Sequence, residues 1–496
     1  MFCSHFLAAQ TQGIPEVNTQ KGFIKIDFLS IDMPKAEFVN EPNMGFSGIH
    51  YNIFLNEYVY TGVGISAAVS GKRGGFFTLG INAGYKKYLN DKLYIDTGFY
   101  FGGGGGAEAR DGGGAFILPH LNLGYNFNHF SVHTGWSYVN FFDAGLIKGN
   151  QLNVALEIPL DFKYSNYNNT GINFSSEILN NSSWKQETKK NYFSVHLNNL
   201  KVKSEGLLQG NTIRLAGFEY GHYLTNNWFA FLKVDGAYTG IRGGYMDVFL
   251  GGGYHLSLNK NKTNIIAKFG IGAGGGGGID SDGGFLLHPD ISIEQHLFSG
   301  VYISINKGYL CTPNRLLSTS NYGIGIKYYV EKNGSFSNEK TFKKGVFKGV
   351  EVVLKQDWYF NPMRIKHTFE DMHQISLQIN FDVNKNLFLA GQTSFANFGN
   401  AGAYGEGLIG FGIKTNTIAY THTNFFAQVL AGAAGGGGIS TGEGLIIKPS
   451  FGVDYKITNT LSIRSAVGYV KAKGGNLSNT FVNLGLKYNF SFLSME

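Results

Sequence analysis

Five consecutive glycines, Gly102 to Gly106, could bring backbone N–H groups onto an anion such as phosphate, because no side chain stands between amide and guest. A phosphate loop of that kind needs a Gly-x-x-x-x-Gly-Lys-Ser/Thr run that opens a helix. Here the one Gly71-Lys72 is followed by Arg73, and no glycine run leads into a helical pattern. The histidines His120, His255 and His288 are scattered without ligand spacing, and Cys3 and Cys311 are too few for a disulfide framework or a cysteine-based zinc site. No catalytic constellation, cofactor or metal is therefore predicted. One charged pair stands out. If a hairpin is centred on Asn459, Asp454 lies directly across from Arg464 on the face that also carries Lys448, Ser450 and Ser462. Opposite charges so placed satisfy one another, which an isolated buried charge does not do cheaply.

The elements that must position such a pair are set by a repeat. Glycine runs recur at Gly274 to Gly278 and Gly435 to Gly438. Gly284-Phe285-Leu286-Leu287-His288-Pro289 follows the second as Gly444-Leu445-Ile446-Ile447-Lys448-Pro449 follows the third, and Gly114 to Pro119 follows the first at nearly the same distance. A period of this size means three structural units of roughly 150 to 165 residues. They are placed at 21–164, 192–330 and 346–493. The stretches between, 165–191 and 331–345, are rich in Asn, Ser, Lys and Thr and read as linkers. Residues 1–20 read as a leader with an export-signal remnant, since Met1 to Ala9 is apolar with small residues before Gln10.

Within each unit the apolar residues alternate with period two over about 9 to 11 residues, the length of a strand that crosses a bilayer at a tilt. In Leu93 to Phe101, the residues Leu93, Ile95, Thr97, Phe99 and Phe101 share one face, and Tyr94, Asp96, Gly98 and Tyr100 share the other. The same division puts Val482, Leu484, Leu486, Tyr488 and Phe490 opposite Phe481, Asn483, Gly485, Lys487 and Asn489. Tight turns at Asn56-Glu57, Asn90-Asp91 and Asn128-His129 alternate with longer connections such as Ile31 to Met44 and Phe141 to Asn150, and the other units repeat this. About eight strands per unit result, an even number that returns the chain to its starting side. Aligned on the glycine runs, Asp96, Lys268 and Gln428 occupy one inward position, so its chemistry differs in each unit.

Composition narrows the function classes. Only 15% of the 496 residues are charged, 15% are aromatic and 71 are glycine. No stretch reaches the roughly 18 to 20 unbroken apolar residues of a spanning helix. The net charge of +7 is scattered over loops and linkers, and no Lys/Arg cluster alternates with aromatics as a nucleic-acid groove requires.

The unit endings, Leu156-Glu157-Ile158-Pro159-Leu160-Asp161-Phe162, Gly323-Ile324-Gly325-Ile326-Lys327-Tyr328-Tyr329 and Gly485-Leu486-Lys487-Tyr488-Asn489-Phe490, resemble the aromatic-terminated last strand of bacterial outer-membrane β-barrels. The third is the nearest to that pattern, and Pro159 departs from it. The resemblance, to the small eight-stranded barrels in three tandem copies, implies an all-β antiparallel transmembrane fold in a Gram-negative outer membrane. It also implies outer-membrane lipid and lipopolysaccharide as surroundings and an insertion machinery that reads the last strand. Lipid A deacylases of that group carry His-x-Ser-Asn on a late strand. Here Asn476-Leu477-Ser478-Asn479 has asparagine in place of the histidine that must activate the serine, and His133-Thr134-Gly135-Trp136-Ser137 has another spacing.

The expectation is thus a non-enzymatic outer-membrane protein whose lumens are plugged by polar pairs such as Asp454 and Arg464, with Tyr94 and Tyr100 inside the first. Its role is structural, or surface interaction through loops such as Glu37 to Met44 and Ala107 to Gly114. The rival architectures are one wide barrel of about 24 strands acting as a transport pore, and a soluble repeat adhesin.

Overall fold

The computed structural model describes residues 16–34, 41–180, 184, 191–206, 208–298, 300–330, 344–364, 368–416, 418 and 420–495. The export-signal reading of Met1 to Ala9, most of the linker 331–345 and part of the loop Glu37 to Met44 lie outside the described residues. The rest is antiparallel β-sheet with a few short helical turns, and no described helix is long and apolar enough to cross a membrane.

The strands pair in chain order and close three times. Gly22–Ile31 bonds to Lys148–Pro159, Asn191–Val202 to Ser318–Tyr329, and Lys344–Tyr359 to Ser478–Met495, so each set of eight strands becomes a sheet without free edges. The short turns have a local cause. The Oδ1 atoms of Asn56, Asn90 and Asn384 each accept from the backbone N–H groups two or three residues ahead, at 2.8 or 2.9 Å. The hydroxyls of Thr225 and Thr458 do the same in two further turns.

The alternation resolves into an inside and an outside. Tyr94, Asp96 and Tyr100 are buried within the first sheet while Ile95 and Phe99 face out, and Asn483 and Lys487 are buried within the third while Leu484 and Leu486 face out. Exposed leucine, isoleucine, valine and phenylalanine band each sheet. At the short-turn end the band finishes in exposed rings, among them Tyr58, Tyr85, Tyr88, Phe127, Trp228 and Tyr455.

Part of the oily face is covered by the neighbouring units. Ala67, Phe77, Leu79, Val248, Ala273 and Phe395, drawn from all three sheets, form one buried cluster flanked by Leu232, Val234 and Leu377. Toward the long-loop end three equivalent backbone hydrogen bonds close a ring: Gly74 N–H donates to Asp282 O at 2.8 Å, Gly243 to Gly442 at 3.0 Å and Gly402 to Gly112 at 3.0 Å. Strand Val59–Ser70 of the first unit meets Thr263–Gly275 of the second, Trp228–Thr239 meets Thr423–Gly435 of the third, and Leu387–Phe398 meets Leu93–Gly105 of the first. One chain therefore builds a pseudo-threefold cluster in which the same two surfaces meet each time.

This contact is what the glycine runs serve. A Cβ on Gly435 would lie 2.3 Å from Gly243 C and Gly244 N, one on Gly275 2.6 Å from Gly74 C, and one on Gly103 2.5 Å from Ala396 O. Backbone packs on backbone there. The N–H groups of Gly104 and Gly274 donate to Gly114 and Gly284 carbonyls, so they are not turned toward an anion. The loop Ala107 to Gly114, expected to carry surface binding, is packed at its second half, with Asp111 buried against Gly402 and Gly113 against Asp143 and Phe398, while Glu108 and Arg110 remain exposed.

The region 165–180 also packs. Asn173–Ser175 pairs with the start of Lys344–Tyr359, Phe174, Leu179 and Trp184 cluster on Phe347, and Ser165 pairs with Ser491. The link between the first two units thus braces the third. The alignment of Asp96 with Lys268 and Gln428 is corrected by register. Phe99, Phe269 and Val429 each face the proline of the next strand, so Lys268 and Gln428 correspond to Gly98, while Asp96 corresponds to Ile266 and Phe426.

Two outcomes are expected. Gly435→Ala, which overpacks backbone, should lower stability by about 1–3 kcal/mol in a denaturant titration of micelle-folded protein, whereas Gly391→Ala, with nothing within 4 Å, should change it little. Burial between the units pushes the Asp111 carboxyl up from 3.8 to about 7, the Gly106 N–H partly opposing. The raised value favours the protonated acid in the fold, so its stabilisation is full below about pH 4 and is lost as pH rises toward 7. Asp111→Asn should abolish that slope; parallel wild-type and variant stability curves across the window would contradict it.

Candidate functional site

The inward side chains of the three sheets are the densest chemistry in the molecule. In the third lumen Asp454 and Arg464 are register partners, with Arg464 Nε 2.7 Å from Oδ1 and Nη2 2.8 Å from Oδ2. Lys487 Nζ donates to Asp454 Oδ2 at 2.6 Å and to Glu351 Oε1 at 3.1 Å, and Arg464 also reaches Glu351 at 3.4 Å. One level away, Lys448 Nζ joins Asp357 at 2.9 Å to Glu406 at 3.1 Å. At the short-turn end Lys414 bonds Glu351 and Asp382, and the Tyr167 hydroxyl, from the region between the first two units, lies between the two carboxylates and donates to Asp382, with Glu351 3.2 Å away. The carboxylates Glu351, Asp357, Asp382, Glu406 and Asp454 are matched by Lys355, Lys414, Lys448, Arg464 and Lys487. This lumen is electrically closed.

The second lumen pairs Lys268 with Glu219 at 2.7 Å, Lys327 with Glu294, and both Lys233 and His196 with Asp235. A cavity of about 30 Å³ lies among Glu219, Lys233, Lys268 and Glu294, room for about one or two waters. His255 bonds the Tyr223 hydroxyl, and His288 Nδ1 lies 3.0 Å from Tyr309 O.

In the first lumen Lys86 Nζ and the Tyr94 hydroxyl donate to Glu157 Oε2 at 2.6 and 2.9 Å. Asp96 accepts from the Tyr60 hydroxyl at 2.9 Å, and His120 Nε2 lies 3.1 Å from it. Asp27 sits between Lys25 at 3.3 Å and His50 at 3.1 Å. His133 is buried beside Glu157. Apart from pairs within one strand, such as Lys25 with Asp27 and Lys233 with Asp235, and Asp454 with Arg464 across one hairpin, the partners are distant in sequence: Lys86 and Glu157 are 71 residues apart and Lys448 and Asp357 are 91 apart. Pattern reading finds the inward face and, across one hairpin, Asp454 opposite Arg464, but not the pairings between distant strands.

The lumens are not polar throughout. Toward the long loops the first is filled by Leu29, Met44, Phe46, Phe76, Phe116 and Phe141, and the third by Met372, Tyr404, Leu430, Ile446 and Leu477. An apolar layer thus lies between the charged layer and the loops. The sequence signal was present in bulky residues at the inward positions of strand ends. Elsewhere, Ser478 Oγ pairs with the Tyr469 hydroxyl, the Asn476 backbone N–H donates to Ser440 Oγ and the Asn479 side-chain amide donates to Phe360 O.

No family model matches the chain, and no curated protein matches it. Among solved structures, OpdQ of Pseudomonas aeruginosa aligns at 10% identity over 96% of this chain and 98% of its own, with a TM-score of 0.20. OccAB3 of Acinetobacter baumannii aligns at 10% identity over 96% and 100%, with a TM-score of 0.21. The siderophore receptor PiuA of Acinetobacter baumannii aligns at 8% over 94% and 81%, with a TM-score of 0.29. At such scores the likeness carries no argument, and the architecture rests on the strand pairing itself.

Removing one partner from a buried ion network leaves a charge uncompensated, so Arg464→Met should destabilise the fold by about 3–5 kcal/mol. Asp454→Asn combined with Arg464→Met should recover part of that loss. Denaturant midpoints of the two single variants and the double give the coupling, and simple additivity would deny the pair any mutual stabilisation.

Proposed function

We propose that the chain is a Gram-negative outer-membrane protein of three tandem eight-stranded barrels with filled lumens, serving a structural or surface-interaction role at its long-loop end. The observation that carries this reading is a band of exposed aliphatic side chains, ending in aromatic rings, around closed sheets whose interiors hold the charges. That is the polarity of a transmembrane barrel, since backbone groups in hydrocarbon must be paired internally and only a closed sheet leaves none unpaired. In a soluble sandwich the oily faces would meet each other, and here only the central patch does so.

A single wide barrel acting as a transport pore would need ladders from one unit's last strand to the next unit's first. The ladders here return from each unit's last strand to its own first. An eight-stranded barrel is just wide enough for side chains. With an apolar layer over ion pairs, conduction is not part of the function. Outer-membrane lipid and lipopolysaccharide would cover the band, and the insertion machinery would take the last strand as its signal. Clustering the barrels in one chain fixes their stoichiometry and presents their loops on a common surface.

Two measurements test this. The purified chain should need detergent or lipid to stay dispersed and should float with vesicles; a monodisperse chain in plain buffer would overturn the membrane reading. Reconstituted in planar bilayers, it should give no porin-like conductance steps, and stable large steps would favour the transport pore.

A further inference from the structure

We propose that the first lumen is a binding site for a divalent transition-metal cation, held by Asp96, His133 and Glu157. One donor atom from each lies within 4.8 Å of the others, and all three residues are buried. It is the one such cluster among the described residues. Tetrahedral ligands at about 2.0–2.2 Å from zinc stand roughly 3.3–3.6 Å apart, so the groups need to close by about an ångström.

Three further observations point to a cation. First, His133 Nδ1 and Glu157 Oε1 are buried with no hydrogen-bond partner, and they face each other at 3.5 Å. Each has a lone pair to give if His133 carries its proton on Nε2. Second, the other atoms of the cluster are already held. Glu157 Oε2 is fixed by Lys86 and Tyr94, and Asp96 by Tyr60 and His120. That is how supporting groups aim ligands at a metal: His133 Nδ1 and Glu157 Oε1 are left free, and Asp96, whose Oδ1 accepts from Tyr60 and whose Oδ2 meets His120 and Asn122, would bind through a remaining lone pair.

Third, the other two lumens supply a control within the same chain. By register, Glu157 corresponds to Lys327 and Lys487, and His133 to Ser304 and Arg464. At this level the second lumen thus has a lysine, and the third has a lysine and an arginine. The first has a carboxylate and an imidazole. Among its described residues the carboxylates Asp27, Asp96 and Glu157 meet two lysines, Lys25 and Lys86, and otherwise the imidazoles of His50, His120 and His133, whereas the third lumen sets five lysine or arginine side chains against five carboxylates. A bound cation would supply, at this level, the positive charge that Lys327 carries in the second lumen and Lys487 and Arg464 carry in the third.

The donor set selects the metal class. One imidazole with two carboxylates suits zinc and its first-row neighbours, whereas calcium and magnesium favour oxygen alone. Three protein ligands would leave a position for water. The sequence could not give this site, because its ligands come from three strands and none is near another along the chain.

The test uses the full chain folded in detergent micelles, stripped with chelator and titrated with zinc or cobalt. Wild type should take up one metal at this site, and cobalt should give the visible absorption of a low-coordinate nitrogen and oxygen site. Glu157→Gln and His133→Ala should each weaken uptake at least about tenfold, with folding checked by heat-modifiable gel migration. His288→Ala, in the second lumen, should leave uptake unchanged. No uptake by folded wild type, or equal uptake by folded Glu157→Gln, would overturn the proposal. The former would leave histidine protonation to make up the missing positive charge.

Discussion

The hydrogen-bonded return of each unit's last strand to its own first is the constraint on which the rest of the molecule depends. Once Lys148–Pro159 pairs with Gly22–Ile31, and its counterparts likewise, no strand edge remains open. Period-two side chains then have only two destinations. The lipid-facing positions take aliphatic residues, and the charges go into a space barely wide enough to hold them, beneath an apolar layer toward the loops. A charge in that space has no bulk water to retreat to, so its partners must come from the facing wall. The lumen networks are the consequence.

The three lumens meet that demand differently. The third matches five acids with five bases and draws Tyr167 in from the region between the first two units. The second leaves a cavity with room for about one or two waters. The first is short of positive charge at the level where its sisters carry lysine or arginine. Divergence after repetition is expected when each interior must balance alone, because the scaffold constrains only which positions face inward. Outside, repetition is conserved in geometry: Gly74, Gly243 and Gly402 make the same backbone bond to the next unit. Three like surfaces close a ring only if they stay alike.

Much of the fold was legible in the sequence. The turn residues Asn56, Asn90 and Thr458 act within a few residues of themselves, and alternation such as Tyr94-Ile95-Asp96 acts within one strand. The repeat of glycines and prolines exposed three units. Less legible was the purpose of the glycines, because the backbone they approach belongs to another unit, as with Gly435 on Gly243. The packing of Asp111 and Gly113 onto the third unit was hidden for the same reason, and the correspondence of Asp96 slipped because glycine counting ignores the register that Pro119, Pro289 and Pro449 reveal.

By itself the sequence determined strand identity, the inward or outward sense of each residue, the turn positions and the pairing of Asp454 with Arg464 across one hairpin, all of them matters of local stereochemistry. Tertiary structure alone decided which strand closes on which, how the units pack through bare backbone, and that Asp96, His133 and Glu157 converge. Those depend on contacts between residues tens to hundreds of positions apart, and no local periodicity encodes the register that brings them together.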